Sequence, residues 1–164
     1  MNSPSVAVEM KKIEYAGWPN CIQLSNGQIE MVATTDVGPR IIRWAFVGSK
    51  NLFKESPDQL GKTGGDKWKS YGGHRFWHAP ENKPRSYAPD NPAIDYKWNG
   101  KTLKLIQPVE SSTGLQKEIE VKKDITIAFQ SWTLFPAKKI VIKTRYNKIK
   151  IVSLVIIHQS TLVK

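Results

Sequence analysis

Apolar and polar positions alternate with a period of two over several short stretches of this chain, the spacing of a strand with one buried face. Ile29, Met31 and Ala33 alternate with Glu30, Val32 and Thr34. A run from Ile22 precedes them across Asn26-Gly27, a dipeptide that favours a tight hairpin turn. Residues 40–47 (RIIRWAFV) follow Gly38-Pro39, end at Gly48 and read as a further strand, and Leu52-Phe53 reads as the start of a short one. Residues 93–98 and 101–109 flank Asn99-Gly100 and form a second expected hairpin. In residues 114–121, Leu115, Lys117, Ile119 and Val121 alternate with Gln116, Glu118 and Glu120, giving one more strand. No stretch combines helical periodicity with caps. The expectation is an all-β, antiparallel sandwich.

Beyond Asp124 the pattern changes. Residues 138–143 and 148–157 can be drawn as strands from their β-branched content. Yet residues 125–164 contain no glycine, a single proline (Pro136) and no acid, and punctuation of that kind normally separates strands. Residues 1–124 are therefore expected to form one sandwich-like unit, and residues 125–164 an anomalous basic tail.

Charge follows the same division. The 164-residue chain has a formal net charge of +11. Residues 1–124 carry 18 Lys and Arg against 14 Asp and Glu, whereas residues 125–164 carry seven Lys and Arg and no acid. A nucleic-acid or anionic-surface binder has this overall balance, with Lys interleaved among Trp68, Tyr71 and Trp98. The near-neutral first part argues against that reading, so nucleic acid is not the expected partner. Cys21 is the only cysteine, which excludes an intrachain disulfide and fits a reducing compartment. No apolar run approaches the roughly 20 residues that span a bilayer. No secretory leader is evident at the N-terminus, so a cytoplasmic, membrane-free location is expected.

The candidate chemistry concentrates in residues 71–96, YGGHRFWHAPENKPRSYAPDNPAIDY. Pro80, Pro84, Pro89 and Pro92 exclude a regular helix, and the many rings argue for an ordered loop. Long loops in compact domains are often functional. His74, Arg75 and His78 could form a polar site, or could brace the loop. Arg75 suits sugar hydroxyls or a carboxylate, and equally a structural pair with Glu81 or Asp90. Phe76 and Trp77 are adjacent and face opposite sides if extended, so one is core and the other can stack on a pyranose. Glu81 fits an acid–base role, a salt bridge or a cap; Arg85 and Tyr87 can share a face. His74, His78, Glu81 and Asp90 could hold a metal, but Pro80 spoils the helical spacing that two histidines would need, and no metal or other cofactor is expected.

Residues 71–81 (YGGHRFWHAPE) with residues 84–92 (PRSYAPDNP) resemble a bacterial family of the galactose mutarotase-like superfamily, which includes the aldose 1-epimerases. Asp36-Val-Gly-Pro-Arg-Ile-Ile-Arg-Trp and Asn51-Leu-Phe-Lys-Glu are similar to its early strands, and the likeness spans about residues 15–121. The resemblance implies a β supersandwich with a sugar-binding cleft, of which this chain would hold the N-terminal half. In the epimerases a histidine is the general acid and a distal glutamate the base, a pairing that suits ring opening near neutral pH. Glu120 is the last glutamate and Asp124 the last acid here, so nothing matches the distal base, and His158 lies in the anomalous tail. The expectation is a sugar-binding protein, truncated or frame-shifted after about Asp124 and catalytically impaired. Neither His74 nor His78 sits in the epimerase pattern, so the expected positions rest on residue type and place in the loop: His74 and His78 for catalysis, and Arg40, Arg75, Trp77, Glu81 and Arg85 for the sugar.

Overall fold

The computed structural model describes residues 8–76, 81, 83, 85–122, 127–134 and 138–142, with the backbone alone for residues 85, 122 and the last two segments. The described residues form two antiparallel sheets of five strands each, and none of them lies in an α-helix. The first sheet runs in chain order through β1 (Glu9–Tyr15), β2 (Trp18–Ser25), β3 (Ile29–Thr34), β4 (Arg40–Phe46) and β5 (His74–Arg75). The second is equally sequential through β6 (Asp95–Trp98), β7 (Thr102–Ile106), β8 (Leu115–Lys122), β9 (Ile127–Leu134) and β10 (Lys138–Ile142). The all-β antiparallel architecture expected from the alternation is thus what the chain adopts.

Both Asn-Gly hairpins form because the asparagine builds the turn. Asn26 Oδ1 accepts from the amides of Gln28 at 3.0 Å and Ile29 at 2.7 Å. Asn99 Oδ1 does the same for Lys101 at 3.0 Å and Thr102 at 2.8 Å, an Asx turn in each case. Leu52-Phe53 does not start a strand. The Asn51 side chain substitutes for a ladder there, its Oδ1 accepting from the amides of Trp44 and Phe53, each at 3.1 Å, and so bends the chain. The strand expected over residues 101–109 is shorter, because Gln107 and Glu110 turn into a polar network. Three strands had no clear sequence signal, the first being β5, a two-residue strand inside the stretch expected to be a loop. β1 is an edge strand whose Lys11, Lys12 and Glu14 hide its alternation. β9 lies past Asp124, so the second sheet crosses the compositional break, and β10 matches most of the stretch drawn over residues 138–143.

Packing gives the first sheet two interiors. On one face Ile22, Leu24, Met31, Ala33 and Ile41 meet Leu103, Leu105, Ile119 and Val121 of the second sheet, together with Phe76 and Ile94. On the other face Cys21, Val32 and Ile42 pack with Trp18, Val37 and Tyr71, and Leu60 closes over them. That second layer is the long connection from β4 to β5. Trp18 Nε1 donates to the Lys62 carbonyl at 3.1 Å, and the Trp18 and Tyr71 rings meet edge to face at 5.8 Å. Gly72 and Gly73 let this connection thread back onto the sheet. A Cβ on Gly72 would lie 2.2 Å from the Lys54 carbonyl oxygen, and one on Gly73 would lie 2.3 Å from that of Ile41. The paired glycines at the head of the motif are therefore required by close backbone approach.

Candidate functional site

Arg40 opens the site from beneath. It begins β4, is 1% exposed, and its guanidinium is occupied by the protein itself. Nη2 donates to both Asp90 carboxylate oxygens at 3.2 and 3.0 Å, and Nη1 donates to the carbonyls of Ser70 at 2.6 Å and Gly72 at 2.9 Å. The cation also lies 5.2 Å from the Tyr71 ring centroid. A fork of rigid donors suits this bridging task, and burial within it keeps Arg40 away from any solvent-borne sugar. The expected sugar contact is thus an internal brace that ties the sheet to both ends of the motif.

β5 separates the two residues expected to work together. His74 pairs with Ile41, and Arg75 with Arg40, so the neighbours project to opposite faces of the sheet. His74 lies on the inner side, its ring stacked on Phe53 at 6.4 Å and 29°, with Trp44 edge-on to Phe53 at 6.5 Å. Arg75 lies on the outer side among the rings of the loop. Its guanidinium is 5.0 Å from the Trp68 ring centroid, and Nη2 donates to the Ser86 carbonyl at 3.1 Å. Burial pushes the Arg75 pKa down to about 10, with Asp90 opposing the shift and Arg40 adding to it, so the side chain stays cationic at neutral pH.

Around Arg75 the structure assembles a row of rings and charges. Trp68 and Tyr87 meet edge to face at 5.4 Å, and Lys83 Nζ lies 5.5 Å from the Tyr87 ring centroid. The Tyr87 hydroxyl donates to Glu81 Oε1, and this bond, more than burial, raises the tyrosine pKa. Trp68 Nε1 is buried and has no hydrogen-bond partner among the described residues. Alternating cations and ring faces attract one another through the ring quadrupole. The result is a half-buried platform with a carboxylate at one end and a guanidinium at the other. Trp68 was not among the expected site residues. Its signal was a large ring in a glycine- and lysine-rich stretch with no strand to bury it.

Of the other expected positions, Trp77 and His78 lie outside the described residues. Arg85 opens a single 3-10 turn, Arg85–Tyr87, with its side chain outside them. Among the described residues no group of three or more His, Cys, Asp and Glu side chains is placed to hold a metal ion, and no helix is long and apolar enough to cross a membrane. An open cavity of about 330 Å³ lies elsewhere, between β1–β2 and the start of β6, lined by Lys12, Asn20, Asp36, Asp95 and Tyr96. Its Asp36 carboxylate is already engaged, accepting from Asn20 N at 3.0 Å and Asn20 Nδ2 at 2.8 Å. None of the expected site residues that the structure describes lines it.

A polar network closes the far end of the second sheet. Glu110 Oε1 accepts from Lys117 Nζ at 2.5 Å and Gln107 Nε2 at 2.9 Å, while Oε2 accepts from Thr113 Oγ1 at 2.5 Å. The Lys117 and Glu110 side chains are 9% and 3% exposed, so the pair is held inside rather than offered to solvent. Comparison with models of protein families, with curated proteins and with solved structures finds no match to this chain.

Proposed function

We propose that the chain is a carbohydrate-binding protein of mutarotase-like character, and that the Trp68–Tyr87 platform, flanked by Arg75, Glu81 and Lys83, is where the sugar rests. The observation that carries the reading is the indole of Trp68, partly exposed and set between the Arg75 guanidinium at 5.0 Å and the Tyr87 ring at 5.4 Å. Pyranose C–H groups suit a ring face, and sugar hydroxyls suit a fork of N–H donors and a carboxylate acceptor. Binding rather than isomerisation is the reading for the described residues. His74 stacks on Phe53 at the opposite face from Arg75, and the Glu81 carboxylate accepts from Tyr87. General acid–base work needs both groups within hydrogen-bond reach of one substrate.

Cations interleaved with rings also suit stacked nucleobases, so the rival is a basic nucleic-acid binder. Thermal melts with D-galactose or D-glucose distinguish the two. A melting temperature that rises with sugar, and fails to rise in Trp68→Ala, supports the carbohydrate reading. No response to either sugar, with duplex binding that weakens steeply as salt increases, overturns it in favour of the rival.

A further inference from the structure

We propose that Asn91 is a positioning residue for the Trp68 platform, acting through the loop that carries the ring rather than by touching a ligand. This rests on the carbohydrate-binding reading and assigns the device that holds its site in place. Asn91 is 1% exposed, and every hydrogen-bonding group of its side chain is used. Nδ2 donates to the carbonyls of Gly65 at 3.1 Å and Lys67 at 2.8 Å. Oδ1 accepts from the Tyr71 hydroxyl at 2.9 Å, and the Asn91 carbonyl accepts from the Gly64 amide at 3.1 Å. One residue thus grips the chain on both sides of Trp68.

Beside this grip the loop is held by the Trp18 indole on the Lys62 carbonyl at 3.1 Å and the Lys69 ammonium on the Gly64 carbonyl at 3.0 Å, neither of which reaches residues 65–67. Residues 62–67 are exposed, and Gly64 and Gly65 both have positive φ, so this backbone is loosely constrained by sequence. Tyr71 closes the far side with a φ of 53°, a left-handed conformation that a large side chain adopts only when its surroundings enforce it. Those surroundings are the Asn91 amide, the Trp18 ring, and the Gln59 side chain, whose Oε1 accepts from the Tyr71 amide at 2.9 Å. The preceding residue, Asp90, holds Arg40, which in turn holds the carbonyls of Ser70 and Gly72. The Asp90–Asn91 pair therefore fastens the whole segment from Gly64 to Gly72.

The chemistry selects an amide. Only a group that donates twice and accepts once can meet two carbonyls and a hydroxyl together, and a carboxylate in its place would face the carbonyls with no donor. A loop held in its binding conformation avoids the ordering cost that a free loop meets on binding.

The test uses the full chain with Trp68→Ala, Asn91→Ala and the double variant, titrated with D-galactose and D-glucose by calorimetry. The indole resonance of Trp68 is followed in the same proteins without sugar wherever that ring is present. We expect Asn91→Ala to melt cooperatively, to displace the Trp68 indole signal, and to bind sugar roughly tenfold more weakly, about 1.4 kcal/mol. The double variant should bind no more weakly than Trp68→Ala, because the positioning has nothing left to position. Unchanged affinity in Asn91→Ala, or losses that multiply in the double variant, overturn the proposal. If Asn91→Ala does not fold, Tyr71→Phe deletes only the hydroxyl bond to Oδ1 and should give the same pattern at smaller amplitude. If the unmodified chain binds neither sugar, the carbohydrate reading fails. The positioning role is then judged on the indole signal alone: displacement upholds it and an unmoved signal overturns it.

Discussion

The two sheets are made from similar strands, yet among the described side chains it is in the first that inner strands are buried on both faces. In β7 and β8 burial alternates: Leu103, Leu105, Leu115, Ile119 and Val121 point inward, and Lys104, Glu118 and Glu120 form a surface ion-pair group at 2.7 and 3.0 Å. In β3 Met31, Val32, Ala33 and Thr34 are buried in succession. Strand chemistry does not account for that contrast. The connection between β4 and β5, anchored by Arg40, Tyr71 and Asn91, lies over the outer face of the first sheet and turns it into a second interior. A sheet with water on one side tolerates lone charge there, whereas under the cover the charges come paired, Arg40 with Asp90 and Arg43 with Glu30.

Removing a charge partner should separate the sheets most sharply. Asp90→Ala leaves the Arg40 guanidinium buried without its carboxylate and should cost about 3–5 kcal/mol, read from denaturant melts. Lys104→Ala, in the outer ion-pair group of the second sheet, should cost about 0–1 kcal/mol. Equal losses would erase the distinction. Next in size, Ile42→Ala on the covered outer face should cost about 2–4 kcal/mol as a core cavity does. Gln116→Ala, on the outer side of β8, should stay within about 0.5 kcal/mol.

A smaller effect lies in pH. Burial pushes the Cys21 thiol from 9.0 up to about 11, so the folded state holds this proton more tightly than the unfolded chain. Stability from this source is complete below pH 9 and is lost as the pH rises through about 11. At about 1.4 kcal/mol per unit, the loss should be on the order of 3 kcal/mol. Tyr15, raised to about 12 mainly by burial and by its bond to Glu55, adds a later loss between pH 10 and 12. Cys21→Ser should remove the earlier step alone. An unchanged alkaline profile in that variant would mean that the outer face of β2 is wetter than described, and would bring the two sheets closer in kind.

The second sheet was the more readable of the two. Its alternation at Leu115–Lys117–Ile119–Val121 states one buried face, although Lys117 belongs to a buried ion pair that no spacing reveals. In the first sheet β3 was found through Ile29, Met31 and Ala33, but the burial of Val32 depends on a loop far along the chain. β1 shows no alternation because an edge strand is kept polar, β5 is too short to show one, and β9 lies past a break in composition. Of the proposed platform, Arg75 and Glu81 stand out in the sequence through their residue types alone. Trp68 is harder to read, because its ring meets Arg75 and Tyr87 only where the loop, bonded to Asn91 through the Lys67 carbonyl, lies back against β5. Arg40 reads in sequence as a ligand-binding arginine because a buried one looks the same there, and the carbonyls of Ser70 and Gly72 that occupy it lie about thirty residues further along the chain.

Native-state hydrogen exchange tests the covered outer face most directly. The amides to follow are those within the cover: Gly73 bonded to the Lys54 carbonyl at 2.9 Å, Ser56 to Tyr71 at 3.1 Å, Gly64 to Asn91 at 3.1 Å and Gly38 to Asp90 at 2.8 Å. If the cover is part of the fold, these amides exchange as slowly as the β3 amides they overlie. Exchange at the rate of an unprotected chain, with β3 still protected, would contradict the account by showing the outer face of the first sheet open to water.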